Sequence, residues 1–446
     1  MSVPGFVAAA TARARRGAIA GAGPSVSKAP STSGVRRSRA WMSVSKDDVA
    51  SETAPIAMST SDYPDVLVGS GQREARQRKF SVKDAIRPEL IDMDAYTPIL
   101  PYEILAQRLG MEPKDIVKLD ANENPFGPSP KVSDALRDAP FLHIYPDPES
   151  LFLREALEEY TGLPKEHLLV GAGADEIIDL LFRLFITPAQ GESVVNFPPT
   201  FGMYKFDSDV NGATCINLMR DAEFRIPIDE LEALYESGNP AKPPKMVFVT
   251  SPNNPDGSTI TDSLLRRLLK LPSLIVLDEA YFEFCGETRI GWVREFDNLV
   301  VLRTFSKWAA LAGMRVGYGA FPLEIIQHLW KIKQPYNVGV ASQLAATVSV
   351  QDRADLLDKV EKMKAERTRF YEEVKRFDWL QPFPSSSNYV LCRVQGGRRA
   401  VDVKQQLAKR GILIRYYSSA GLAECIRVSM GTPEQMTRLY DALAEL

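Results

Sequence analysis

Between residues 168 and 321 the chain repeats one pattern, a short apolar run followed by a stretch of other character. The runs are LLV (168–170), SVVNF (193–197), ATCINLM (213–219), MVFVT (246–250), LIVL (274–277), LVVLR (299–303) and RVGYGAF (315–321). Several are apolar throughout, which a strand tolerates when helices cover both faces of its sheet. After the first run, Ile177, Ile178, Leu181 and Leu184 recur at helical spacing. The alternation predicts an α/β domain with a largely parallel sheet. A helix is expected around 261–270 and a long amphipathic one across 353–378. Beyond it, NYVLCRV, a helix at 400–410, ILIRYY, CIRVSM and a last helix predict a second, smaller α+β unit.

In an open α/β sheet, ligands bind beyond the carboxyl ends of the strands. Four polar motifs follow such ends: GAGADE, SPNNPDG, DEAY and TFSK. GAGADE opens a helix, where the first amides, those of Ala174 and Asp175, favour a phosphate. It lacks the full GxGxxG, which disfavours a dinucleotide. Asp278 is expected to be partly buried, so its carboxylate needs a cation or several donors. Capping is the plainer reading of Asp278 and Glu279. A protonated heteroaromatic nitrogen is one suitable partner, with Asn254 and Tyr281 on a neighbouring ring hydroxylate.

Lys307, in TFSKWAALAGMRVG, is either a charge on a helix surface or a nucleophile. A nucleophilic lysine needs a lowered pKa, which burial or the nearby Arg315 supplies. Thr304, Ser306 and Arg315 offer two hydroxyls and a fork for a phosphate. Ring nitrogen, ring oxygen, aldehyde carbon and phosphate together describe pyridoxal phosphate.

Composition narrows the rest. The chain has 446 residues, is 45% hydrophobic and 25% charged, and carries a net charge of −3, so no basic stripe invites nucleic acid. No apolar run is long enough to span a bilayer. Cys215, Cys285, Cys392 and Cys425 are scattered and read as reduced thiols. His143, His167 and His328 show no metal-ligand spacing. The first acidic residue is Asp47, preceded by Arg13, Arg15, Arg16, Lys28, Arg36, Arg37, Arg39 and Lys46 among Ala, Ser and Thr. That composition predicts an organelle transit peptide over 1–46, plastid in preference to mitochondrial because no amphipathic helix is obvious. A plain disordered tail is the alternative. Residues 47–80 read as a polar linker, 81–140 as a segment joining the small domain and covering the site, 141–350 as the large domain and 351–446 as the small one.

From about residue 98 onward the chain carries, in order, LDANENPFGPSP, IYPDPES, GAGADE, PPTFGMY, SPNNPDG, LDEAYFEF, TFSKWAALAGMRVGYG and IRVSMG. In these motifs it resembles the fold-type I pyridoxal-phosphate-dependent aminotransferases, and within them the group that acts on histidinol phosphate. The resemblance implies a mostly parallel seven-stranded sheet sandwiched by helices, a smaller α+β domain and a homodimer. It implies amino transfer from glutamate to imidazole-acetol phosphate.

It also implies roles. Lys307 would form the Schiff base and then carry protons, Asp278 would hold the ring nitrogen, and Asn254 and Tyr281 the ring oxygen. Tyr204 would stack on the ring, with Phe201 as its substitute. Ala174, Asp175, Thr304, Ser306 and Arg315 would cup the phosphate, and Tyr145 would reach the partner subunit's phosphate. Arg427 would clamp the carboxylate of glutamate or 2-oxoglutarate. Arg415 and Tyr102 would hold the substrate's phosphate, and Asn124 lies in the covering segment. Asp256 stands where many members carry threonine, and Ile144 where arginine is frequent. An aromatic aminotransferase or a phospho-amino-acid decarboxylase would share the fold, and a non-catalytic cofactor-binding protein is the rival from another class.

Overall fold

The structure is a computed structural model that describes residues 80–446, apart from 92, 94–100, 140–141, 189, 239–241 and 420. The expected transit peptide over 1–46 and nearly all of the 47–80 linker lie outside the described residues.

Among the described residues twelve strands form two sheets. In chain order they are β1 (Val117–Leu119), β2 (Leu168–Gly171), β3 (Ser193–Asn196), β4 (Thr214–Asn217), β5 (Met246–Thr250), β6 (Leu274–Asp278), β7 (Leu299–Thr304), β8 (Gly317–Ala320), β9 (Leu380–Pro382), β10 (Tyr389–Val394), β11 (Ile412–Tyr416) and β12 (Cys425–Ser429). The larger sheet runs β2-β8-β7-β6-β5-β3-β4. Its β7-β6-β5-β3-β4 part is parallel, and β8 lies antiparallel between β2 and β7. All seven apolar runs are strands of this one sheet.

Burial explains why those runs are apolar throughout. Val195, Val247, Ile275 and Val301 enter one core, while their chain neighbours Val194, Met246, Val276 and Leu302 enter another on the opposite face. Each such side chain contributes about 1.5–3 kcal/mol when fully removed from water. The helix Gly173–Phe185 covers the second face through Ile177, Ile178, Leu181 and Phe182.

The smaller sheet runs β1-β11-β12-β10-β9 and draws β1 from near the start of the described chain. Its Leu119, Tyr389 and Ile426 share the first core with the larger sheet. The long helix extends over Arg353–Glu373, ending short of the expected 378 because Val374–Arg376 tightens into a 3-10 turn. After β7 the chain does not form a helix. Residues 305–311 bend and turn, leading to a 3-10 turn at Ala312–Met314. Lys307 therefore sits in a loop rather than on a helix surface. Trp308 is packing, fully buried with its ring stacked on Tyr160.

Candidate active site

Parallel register places Thr250, Asp278 and Thr304 near one another at the carboxyl ends of β5, β6 and β7. There they meet a cavity of about 670 Å³. Lining it are Ala174, Asp175, Asn254, Asp278, Tyr281, Thr304, Ser306, Lys307, Arg315, Arg415 and Arg427, so most of the sequence-derived set converges on one space.

The wall at the helix start suits a phosphate. Ala174 and Asp175 lie in the first turn of Gly173–Phe185, where amides have no acceptor within the helix. Thr304 Oγ1 donates to Ser306 Oγ at 3.0 Å, and Arg315 lies within 3.5 Å of that same oxygen. Arg315 also donates to Asp175 Oδ2 at 2.7 Å. Two glycines keep this cradle open. A Cβ on Gly317 would lie 2.5 Å from Ala174 N, and one on Gly173, where φ is +85°, 2.8 Å from Arg315 Nη2.

The floor suits a cation. Asp278 is buried, has no Lys or Arg within ion-pair distance among the described residues, and accepts hydrogen bonds from Ala280 N at 2.9 Å and Tyr204 Oη at 2.6 Å. Burial pushes its carboxyl up to about 6, against the pull of those two donors. A carboxylate left this way is completed by a positive group entering from the cavity. Lys307 Nζ donates to Ala121 O at 3.2 Å. Burial first, then the neighbouring Arg427 charge, lowers its pKa to about 8, which suits an amine that must lose its proton to react.

Asn254 Oδ1 accepts from Arg427 Nη1, whose Nη2 donates to Asp120 O at 2.8 Å. Among the described residues Arg427 Nε is buried without a hydrogen-bond partner, and the guanidinium lies over the rings of Tyr389 and Tyr417. Arg415 stands on the neighbouring strand directly opposite Arg427. Two arginines thus face one cavity, enough for two anionic groups.

Three of the expected site residues do not reach the cavity. Tyr204 does not stack beside the cavity: it is fully buried behind the floor, its ring parallel to Phe248 at 4.7 Å. Phe201, three residues earlier in PPTFGMY, lines the cavity instead. One turn of the helix Met203–Val210 decides the matter by facing Tyr204 into the core. Tyr102 does not line the cavity either; its hydroxyl donates to Ile116 O at 3.3 Å and its ring packs with Ile116 and Leu413. Asn124 is buried and ties the covering segment down, its Nδ2 donating to Trp308 O at 2.9 Å. Tyr145, expected at a partner subunit's phosphate and not in its own cavity, is 78% exposed and stacked on Tyr336.

The residue that sequence reading passed over is Asn122. It lines the cavity with φ +56° and donates from Nδ2 to Tyr281 Oη at 2.9 Å. The NEN motif offers two asparagines, and only Asn122's left-handed backbone, which asparagine tolerates well, turns its amide inward. Thr200, Thr250 and Tyr417 also line the cavity and carried no sequence signal. Asp256 caps its own turn, accepting from Ser258 N at 2.9 Å, and does not reach the cavity. The four cysteines are all free. Among the described residues no cluster could hold a metal, and no helix is long and apolar enough to cross a membrane.

Comparison with known proteins agrees with this geometry. The aminotransferase class I and II family model matches residues 114–443. The Arabidopsis thaliana protein named histidinol-phosphate aminotransferase 1, chloroplastic, is 49% identical over 361 residues, 81% of this chain and 85% of that one. The histidinol-phosphate aminotransferase of Roseiflexus castenholzii is 44% identical over 374 residues, 82% of this chain and 99% of the other. Among solved structures, histidinol-phosphate aminotransferase from Sinorhizobium meliloti in complex with pyridoxal-5'-phosphate superposes with a TM-score of 0.72 at 26% identity, covering 83% of this chain and 98% of that one. With an amine and a buried acid at the strand ends of the larger sheet and paired arginines facing them from the smaller one, the chain belongs to the class I and II aminotransferases.

Proposed function

We infer that this chain is a histidinol-phosphate aminotransferase, moving an amino group between glutamate and imidazole-acetol phosphate in histidine biosynthesis, with pyridoxal phosphate as cofactor. The observation that carries the reading is the pairing of Arg415 with Arg427 in the cavity that holds Lys307 and Asp278. One arginine answers the α-carboxylate of glutamate, and the other the phosphate of the second substrate, which has no such carboxylate.

When bound, pyridoxal phosphate supplies an aldehyde that condenses with amines and a ring that takes up the electron pair of the substrate's α-carbon. Lys307, its amine pKa lowered to about 8, would hold the cofactor's aldehyde carbon and, once released by the substrate's amine, move the proton at the α-carbon. Asp278 would hold the cofactor's ring nitrogen in its protonated form. Asn254 and Tyr281, the latter fixed by Asn122, would hold the cofactor's ring oxygen. Ala174, Asp175, Thr304, Ser306 and Arg315 would hold the cofactor phosphate, and Phe201, which lines the same cavity, would pack on the ring. Arg427, braced by Asn254 and Asp120, receives the carboxylate with a planar fork.

The chain works as a homodimer in this reading. Tyr145 is exposed outside its own cavity, as are Leu142, Ile144 and Phe152 in the surrounding sequence, which supports burial against a second copy and a reach into its phosphate site. The plant relatives are named chloroplastic and the head of the chain has transit-peptide composition, so the protein is assigned to the plastid. A half-reaction screen tests the function: each amine is added singly and the cofactor's visible band is followed. Glutamate and histidinol phosphate should both bleach it. Bleaching by phenylalanine but not histidinol phosphate would indicate an aromatic aminotransferase, and carbon dioxide release a decarboxylase.

A further inference from the structure

We propose that Tyr204 is a positioning residue for this reaction, its hydroxyl holding Asp278 in the ionised form and orientation that meet the cofactor's ring nitrogen. The inference rests on the reading of the cavity as a pyridoxal phosphate site.

Tyr204 Oη lies 2.6 Å from Asp278 Oδ2 and 2.8 Å from Thr250 Oγ1, and the residue has no exposed surface. An ionised carboxylate only accepts, so the tyrosine proton goes to Asp278 and Thr250 donates to the tyrosine. Donation in series strengthens each bond. Asp278 Oδ1 is meanwhile held by Ala280 N at 2.9 Å. Each oxygen is thus anchored from the protein side, which fixes the carboxylate plane and leaves the remaining lone pairs for the cavity. The need for such a device follows from the burial, which by itself favours a neutral acid. A neutral Asp278 would leave the ring nitrogen unprotonated and weaken it as an electron acceptor.

Tyr204→Phe keeps the ring stacked on Phe248 and removes one hydroxyl. The experiment uses the holoenzyme reconstituted with cofactor labelled with nitrogen-15 at the ring nitrogen. In the unsubstituted protein the nitrogen resonance should stand at the protonated pyridinium position. In Tyr204→Phe it should move toward the unprotonated position. The rate of the glutamate half-reaction should fall about tenfold, as expected for loss of a hydrogen bond to a charged group, while KM for glutamate stays within about twofold because the hydroxyl touches no substrate. Thr250→Val should shift the resonance the same way by less, and it decides the matter if Tyr204→Phe does not fold. An unshifted pyridinium resonance in the folded variant overturns the proposal even if the rate falls, since a merely structural hydroxyl gives that result. Absence of any bound-cofactor resonance in the unsubstituted protein would overturn the reading of the site together with it.

Discussion

Asp278 and Glu279 are neighbours in sequence, both almost fully buried, and they have opposite fates. Glu279 is saturated by protein: it accepts from Arg303 Nη2 at 2.9 Å and Nε at 3.1 Å, from Thr288 Oγ1 at 2.7 Å and from Arg289 N at 2.6 Å. Arg303 in turn lies 3.5 Å from the Phe282 ring centroid and donates to Tyr318 Oη at 3.2 Å. Asp278, one residue earlier, has among the described residues two neutral donors and no cation. Alternation along the chain sends one carboxylate into a completed ion pair and the other to the floor of a cavity. A buried charge with its partner present is structure, and a buried charge still short of one is a site.

Removing the amine that serves the unfinished side should have the largest effect. Lys307→Ala is expected to lower the glutamate half-reaction by about a thousandfold or more, since one group acts as nucleophile and proton carrier. Single-turnover absorbance measures it, and a variant within tenfold of the unsubstituted protein would break the contrast.

The two carboxylates themselves should then separate stability from activity. Glu279→Gln strands Arg303, 3% exposed at its side chain, and should cost about 3–5 kcal/mol in urea unfolding. Asp278→Asn should cut the rate by about a hundredfold or more yet not destabilise the cofactor-free protein. Equal unfolding losses for both would erase the distinction.

pH sharpens the same point. In the cofactor-free protein the Asp278 carboxyl is raised from 3.8 to about 6, so the folded state keeps its proton after the unfolded chain has lost it. Its contribution to stability is present below about pH 4 and is lost as pH rises through about 6, roughly 3 kcal/mol in all. The difference in urea midpoint between the unsubstituted protein and Asp278→Asn should therefore shift in favour of the variant between pH 4.5 and pH 7.

Smaller effects distinguish the cavity rim. Arg415→Ala should raise KM for histidinol phosphate about ten- to a hundredfold while changing that for glutamate by less than about threefold. Steady-state kinetics with each substrate decides it, and equal losses would remove the assignment of Arg415 to the phosphate. Tyr102→Phe should alter neither KM by more than about twofold and stability by about 1 kcal/mol at most, since it removes one 3.3 Å bond away from the cavity.

Local chemistry carries much of this protein in its sequence. Strands β2 to β8, the helix after GAGADE and the cluster at the strand ends are legible because burial on both faces imposes continuous apolar runs and ligand chemistry imposes polar motifs just beyond them. Lys307, Asp278, Asn254, Tyr281, Arg315 and Arg427 are found that way and converge as expected. What only the tertiary structure decided is direction. Whether Tyr204 or Phe201 faces the cavity depends on how one short helix rotates against β5. Whether Asn122 or Asn124 turns inward depends on a left-handed residue held by Ser429 and Asn388, some three hundred positions away. Composition and spacing specify which groups are present. Which way a side chain points is fixed by contacts between segments far apart in the chain, and those exist only once both cores have closed.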